Sequence, residues 1–389
     1  MRLFLIVFFV VYGGLHLYAF SKVRAAAVLN VFGAAALALF MLVMTAAPVI
    51  IRVSENHGYE TFARIMAHVG YTWMGVLFLF CSVSAAIDLY RLVIHAEELI
   101  MRKNLSLLIP SARVALVVPL SLSLLIALYG YFEAKDIRAE RLVITTPKLP
   151  PGVEKLTIVQ ISDVHLGLVV REERLKKILA LVKEADPDIF VSTGDLVDGQ
   201  LARLNGLAEM IGAVTPRYGK FAILGNHEYY AGLDQAIAFT ERAGFTLLRG
   251  EAAAGVITVA GVDDSAGKAF SGYRPVSESG LLAGLPRDRF TLFLKHRPVL
   301  DKESRGLFDL QLSGHVHKGQ IFPFSILTYL YYPVHSGYSP LPGGSRLYVS
   351  RGSGTWGPPI RFLAPPEVTI IELVSGSGTE RGKKGAVPP

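Results

Sequence analysis

Five short polar segments carry the residue types from which a metal centre is built. They are Asp163-Val164-His165, Gly194-Asp195, Gly225-Asn226-His227-Glu228, His296 and Gly314-His315-Val316-His317. Carboxylate, imidazole and amide oxygen in one set suit Mn2+, Fe or Zn2+ better than Ca2+, which takes oxygen ligands alone. In Asp163-Val164-His165 and His315-Val316-His317 the i,i+2 spacing puts both side chains on one face of an extended backbone. Gly194, Gly225 and Gly314 relieve crowding where the chain turns beside them. Singly, none of these segments is specific: Gly-Asn-His is usually a turn, and a lone His296 ahead of Arg297-Pro298 is usually packing. Together they use five of the ten histidines and supply two ligand sets.

The elements that must position these residues are short apolar runs. Leu156–Ile161 reads as a buried strand that ends just before Asp163. Asp188–Thr193 ends before Gly194, and Lys220–Leu224 before Gly225. Phe290–Leu294 leads to His296, and Asp309–Leu312 to Gly314. Further strands are expected at Val256–Val262, Arg346–Ser350 and Glu367–Leu373. Helices are expected over Glu172–Glu184, with Leu175, Ile178, Leu179 and Val182 on one face, and over Leu233–Ala243. Strands alternating with helices imply an α/β layered domain with its site at the carboxyl ends of the strands.

The front of the chain is different. Hydrophobic residues make up 51% of the whole, mean hydropathy is +0.42, and the excess lies before residue 135. Four stretches, about 3–20, 26–51, 69–90 and 114–131, are long enough to cross a bilayer, which takes roughly 20 apolar residues. The first lacks a small-residue cleavage site and reads as a retained helix rather than a signal peptide. Gly13, Gly14, Gly33 and Ala34-Ala35-Ala36 are expected to allow close helix packing. Six Lys and Arg residues fall on each side of these spans, so charge assigns no orientation. The domain reading is a helical region over 1–133, a linker over 134–153, a catalytic domain over 154–374 and a disordered tail over 375–389.

The formal charge is +7, but it sits in connections between apolar runs and in the tail. No basic stripe with interleaved aromatics is present, so nucleic acid is not expected as a partner. The single cysteine, Cys81, lies in an apolar run. An intrachain disulfide, a cysteine zinc site and a thiol nucleophile in the polar half are thereby excluded.

The ordered set D-x-H, GD, GNHE, H and GHxH resembles the calcineurin-like metallophosphoesterase superfamily, from about Lys155 to Leu373. Gly319-Gln320-Ile321, Leu347–Gly352, Pro358-Pro359-Ile360-Arg361-Phe362 and Pro365-Pro366-Glu367 are similar to its bacterial membrane-associated branch, in which Lys318 stands where glycine is usual. The resemblance implies an αββα two-sheet sandwich. It also implies two divalent cations, one held by Asp163, His165 and His317, the other by Asn226, His296 and His315, with Asp195 bridging. His227 is implied as the non-ligand histidine that protonates the leaving oxygen, while a bridging hydroxide attacks phosphorus.

Glu228 is expected to orient His227 rather than bind metal, and Asp263-Asp264 to serve a loop or cap. His335 and Arg351 stand between substrate contact and structure. The expected activity is hydrolysis of a phosphodiester or pyrophosphate by a multi-pass protein of the bacterial cytoplasmic membrane, with the bilayer and a phosphate-ester substrate as partners. A UDP-2,3-diacylglucosamine hydrolase is one family activity that would suit that location. The alternatives are a catalytically silent membrane-anchored binding module and a phosphoprotein phosphatase.

Overall fold

A computed structural model describes residues 2–199, 204 and 206–376. Most of the expected tail, 377–389, lies outside the described residues. The chain forms two compact units. The first is Met1–Ala134 with Gly357–Phe362; the second is Lys135–Trp356, resuming at Leu363.

The first unit is helical: α1 (Arg2–Ala26), α2 (Val31–Asn56), α3 (Glu60–Met101) and α4 (Val114–Glu133). All four are long and apolar enough to cross a membrane. At about 1.5 Å per residue, the 42 residues of α3 exceed an apolar core of roughly 30 Å twofold. The 69–90 stretch is therefore only its central part. No Pro or Gly interrupts it between Gly75 and Arg102, where a left-handed residue ends the helix.

Close packing does not use the expected glycines. A Cβ on Gly13 or Gly14 would meet nothing within 4 Å. At Gly70 it would come 2.8 Å from Ala47 Cβ, and at Gly75 and Gly130 it would strike Ile360 and the Arg361 carbonyl. The segment Gly357–Phe362 thus packs into this unit through backbone approaches that any side chain would block. Its Arg361 amide donates to Gly130 O at 2.9 Å. The histidine of α1 is structural: His16 Nδ1 lies 2.8 Å from Tyr12 O, and its Nε2 accepts from Trp73 Nε1 at 2.9 Å.

Among the described residues the second unit contains twelve strands: β1 (Arg138–Thr146), β2 (Lys155–Ile161), β3 (Ile189–Ser192), β4 (Lys220–Ala222), β5 (Thr246–Leu247), β6 (Glu251–Ala254), β7 (Thr258–Gly261), β8 (Thr291–Leu294), β9 (Leu310–Ser313), β10 (Gly337–Pro340), β11 (Arg346–Val349) and β12 (Glu367–Ser375). Its helices are α5 (Glu172–Glu184), α6 (Leu207–Gly212), α7 (Asn226–Ala231), α8 (Leu233–Arg242), α9 (Glu278–Ala283) and α10 (Phe324–Tyr331). One sheet runs β1-β12-β2-β3-β4-β5 and the other β10-β11-β9-β8-β7-β6.

Between the sheets lie Ile158, Val191, Leu292, Leu310 and Ile371. Val159, Phe190 and Ile370 face the opposite way, against Leu175 and Ile178 of α5 and Phe239 of α8. On the outer face of the other sheet, Phe293 packs with Leu282 of α9. Because both faces of the central strands are covered, they read as unbroken apolar runs instead of alternating ones.

The expected linker is corrected: its middle is β1, parallel to β12 with Arg138 opposite Glu367 and Thr146 opposite Ser375. As an edge strand β1 buries Ile144 and Thr146 at its end, while its first half, with Arg138 and Arg141 exposed and Glu140 half-buried against Arg351, stays near solvent. A charged, half-apolar run of this kind resembles a connector in sequence. The strand β12 continues to Ser375, the first residue of the expected tail.

Candidate metal centre

β2, β3 and β4 are parallel neighbours in one sheet, as β8 and β9 are in the other. Their carboxyl ends deliver the polar segments to one place. Asp163 and His165 follow β2, Asp195 follows β3, Asn226 and His227 open α7 after β4, His296 follows β8, and His315 and His317 follow β9. Each of these residues except the half-buried His315 is at most 9% exposed.

The i,i+2 pairs converge, but not on extended backbone. Asp163, His165, Asp195, His315 and His317 all have positive φ, between 47° and 71°. In His315-Val316-His317 the valine is right-handed, so the backbone alternates hand and both imidazoles turn to the same side. A left-handed residue other than glycine costs about 1–2 kcal/mol. Backbone hydrogen bonds offset this: the Asp163 amide donates to Gly194 O and the His165 amide to Asp195 O, both at 3.0 Å, and the His315 amide donates to Asp163 Oδ1 at 2.9 Å. Two glycines permit the approach. A Cβ on Gly225 would fall 2.2 Å from Asp195 Oδ1, and one on Gly314 1.9 Å from Ser162 Oγ and 2.1 Å from Asp163 Oδ2.

Among the described residues three groups of donors result: Asp163, His165 and His317; His165, Asp195 and His227; and Asp195, His296 and His315. Within them His317 Nε2 lies 3.4 Å from Asp163 Oδ1 and 3.1 Å from His165 Nε2. His296 Nε2 lies 3.2 Å from both Asp195 Oδ2 and Asn226 Oδ1. Ligands about 2.1 Å from one ion sit roughly 3.0–3.4 Å from each other, so these separations are those of a coordination shell.

The donor chemistry agrees. His296 Nδ1 is 2.8 Å from Thr193 O, which can only accept, so Nδ1 carries the hydrogen. The Nε2 lone pair then points at two oxygens with lone pairs of their own, and only a proton or a cation satisfies all three. With protons alone, burial disfavours the charged form of His296, yet Asp195 and Asp163 outweigh it and push the imidazole up to about 10. Burial likewise raises Asp163. Burial opposes ionisation of Asp195, but His296 and His227 hold it well below the usual carboxylate range. The residues present fit divalent cations, which would take over from those protons.

His227 has a partner that sequence reading missed. Its Nδ1 lies 2.6 Å from Asp198 Oδ1. Burial disfavours the imidazolium, but Asp195 and Asp198 override it and push His227 up to about 9. The available signal was a carboxylate three residues after Asp195. Glu228, expected in the orienting role, instead accepts the amides of Gly225 at 2.7 Å, Leu196 at 2.7 Å and Asp195 at 3.0 Å. It ties the turn after β3 to the turn after β4.

The remaining candidates separate clearly. Asp264 caps a turn by accepting the Ala266 amide and pairs with Arg297, while Asp263 holds Arg249 and the Tyr229 hydroxyl. Arg351 binds Glu367 at 2.7 Å and Pro365 O at 3.0 Å, away from the donor groups. His335 packs on Tyr329, with ring centroids 5.4 Å apart. Trp356 and Tyr230 stand beside His227, their ring centroids 5.7 and 5.4 Å from it.

Residues 156–319 match the family model for calcineurin-like phosphoesterases. An uncharacterized metallophosphoesterase of Aquifex aeolicus is 42% identical over 66% of this chain and 99% of its own length. A transmembrane protein with metallophosphoesterase domain from Danio rerio is 32% identical over 66% of this chain and 62% of its own. Among solved structures, a 5'-nucleotidase precursor of Thermus thermophilus aligns at 18% identity over 57% of this chain and 54% of that one, with a TM-score of 0.35. An extensive relationship to a full-length relative, joined to a convergent set of buried donors, makes the chain a member of the calcineurin-like metallophosphoesterases, metal-dependent hydrolases of phosphoric esters.

Proposed function

We propose that the centre holds two divalent cations and hydrolyses a phosphodiester or pyrophosphate at a membrane. Asp163, His165 and His317 would hold one ion and Asn226, His296 and His315 the other. The observation that carries the reading is the position of Asp195, which lies in a donor group with His165 on one side and with His296 and His315 on the other. Bound there, such ions supply Lewis acidity, activating water and taking up charge on the phosphoryl oxygens.

The chain's own residues do the rest. His227 is nearly buried and is oriented through Nδ1 by Asp198, so its Nε2 is free of that bond and placed to give a proton to a leaving oxygen. Asp198 acts as a positioning residue. The four apolar helices support a multi-pass membrane protein, as does the name of the Danio rerio relative.

The test uses the full chain in detergent with bis(p-nitrophenyl) phosphate and added Mn2+, alongside metal analysis. Two ions per chain are expected, with turnover abolished by chelation and restored by metal. Asp195→Asn should lower both metal content and rate. Turnover that persists in an Asp195→Ala, His227→Ala double variant would refute the site.

A further inference from the structure

The helix α10 does not behave like a surface helix of a soluble domain. It reads Phe-Ser-Ile-Leu-Thr-Tyr-Leu-Tyr, and none of its residues is buried. Phe322, Phe324, Ile326, Leu327 and Tyr329 are exposed, with Leu330 at 72% and Tyr331 at 76%. No charged residue occurs from Ile321 to Val334. An apolar surface this continuous marks a place that meets something other than water.

The same helix is tied to the donor groups. The Tyr332 ring, at its end, lies 5.9 Å from that of His315. Before its start, the Gln320 side chain donates to Trp356 O and accepts the Trp356 amide, both at 2.9 Å. Trp356 is itself 49% exposed and faces His227. Apolar and aromatic side chains therefore border the centre at both His315 and His227.

We infer that α10 lies in the interface of a bilayer and that the substrate is an amphipathic phosphoester whose acyl portion stays in that bilayer. This rests on the phosphoesterase reading of the centre. The occupant follows from the chain itself, which carries four bilayer-length apolar helices and so keeps lipid at high local concentration. The Leu, Ile and Phe side chains of α10 offer apolar area to acyl chains, and its tyrosines suit the interface, where aromatic rings find both apolar and polar surroundings. In the reaction, the oxygen of water forms the new bond to phosphorus. The bond to the leaving oxygen breaks, and that oxygen takes a proton from His227, which the attacking water's proton replaces.

The experiment uses the full chain with Cys81→Ser in nanodiscs of phosphatidylethanolamine and phosphatidylglycerol. An environment-sensitive dye is attached at Leu330→Cys, with Glu241→Cys on α8 as the solvent reference. Blue-shifted emission quenched by nitroxide-bearing lipid at position 330 alone is expected. Two substrates with the same leaving group are then compared: phosphatidyl-p-nitrophenol in the disc and bis(p-nitrophenyl) phosphate in water. A Leu327→Asp, Leu330→Asp variant should lose about tenfold or more on the first, from the lost burial of two leucines, and retain its rate on the second.

A dye that reports water overturns the inference. So does one that is blue-shifted but unquenched by lipid, which would mean that protein covers the helix. Equal loss on both substrates overturns it too, since α10 would then only support the centre. If the unsubstituted chain turns over neither substrate with metal present, the reading of the centre fails, while the quenching result still decides the lipid contact.

Discussion

Asp198→Asn tests the arrangement around His227, with His165 Nδ1, 3.7 Å from the same carboxylate, as the second group it touches. The substitution keeps volume and a hydrogen-bonding atom but removes the charge 2.6 Å from Nδ1. A hydrogen bond to a charged group contributes about 1.5–3 kcal/mol, and each 1.36 kcal/mol is a tenfold change in rate. If that bond is what keeps the imidazolium aligned with the leaving oxygen, kcat should fall by up to about 10- to 150-fold with KM little changed. The loss depends on the leaving group. p-Nitrophenolate departs as an anion and needs little protonation, so bis(p-nitrophenyl) phosphate should show a small effect. An alkyl diester such as glycerophosphoethanolamine should show the full one. The pH profile adds a second readout. Asp198 helps hold the proton on His227, so without it the imidazole loses that proton at lower pH, and the fall in rate on the alkaline side should move to lower pH. Steady-state kinetics of the two substrates, with metal content measured on the same samples, checks the idea. Equal losses on both substrates, or a loss that tracks missing metal, would refute a role through His227.

Three further outcomes are expected. Gly314→Ala places a Cβ 2.1 Å from Asp163 Oδ2; displacing that carboxylate should lower metal affinity about 10- to 100-fold, read by titration with a chelator. Lys220 is buried against Ile211 O and Ala243 O, and burial lowers its pKa from 10.5 to about 8. The unfolded chain therefore binds the extra proton between those values and stability rises with pH there, so the urea midpoint of the unsubstituted chain, taken relative to that of Lys220→Met, should rise from about pH 8 to pH 10. Arg351→Met strands the buried Glu367 carboxylate and should cost about 3–5 kcal/mol of stability with KM unchanged; a raised KM and normal stability would make Arg351 a phosphate ligand instead.

Residues buried on two sides were legible, because a covered strand must be apolar throughout. Leu156–Ile161 and Phe290–Leu294 announce themselves in this way, and each ends at a polar group whose type limits its chemistry. Residues buried on one side were not. β1 carries three charges in its first four residues and looked like a connector, and β10 is a half-exposed run containing Ser and Pro. Partnerships were hidden as well. Nothing in the local sequence says that Asp198, rather than the neighbouring Glu228, meets His227, since that depends on how two turns cross. The helical unit misled for a similar reason. Glycines permit approach, but which of them is approached depends on the partner surface: Gly75 receives Ile360 from a segment nearly three hundred residues away in sequence.

The backbone at the centre shows why the spacing was right and the reason given for it was not. An i,i+2 pair converges on a strand, yet a strand would have continued into its sheet and left the side chains alternating across two covered faces. Here the chain leaves β2 and β9 before the pair, then holds Asp163, His165, His315 and His317 left-handed. Four such residues cost on the order of 4–8 kcal/mol, a large share of a domain's net stability. Backbone amides, among them that of Gly354 donating to Asp163 O at 3.0 Å, together with Glu228 and the close passage of Gly225 and Gly314, offset part of it. A fold does not keep this strain for packing, since an apolar turn would reach the same strand ends without it. A cation held by the converging lone pairs would offset the remainder. Cation binding should therefore stabilise this unit far more than it would a surface site.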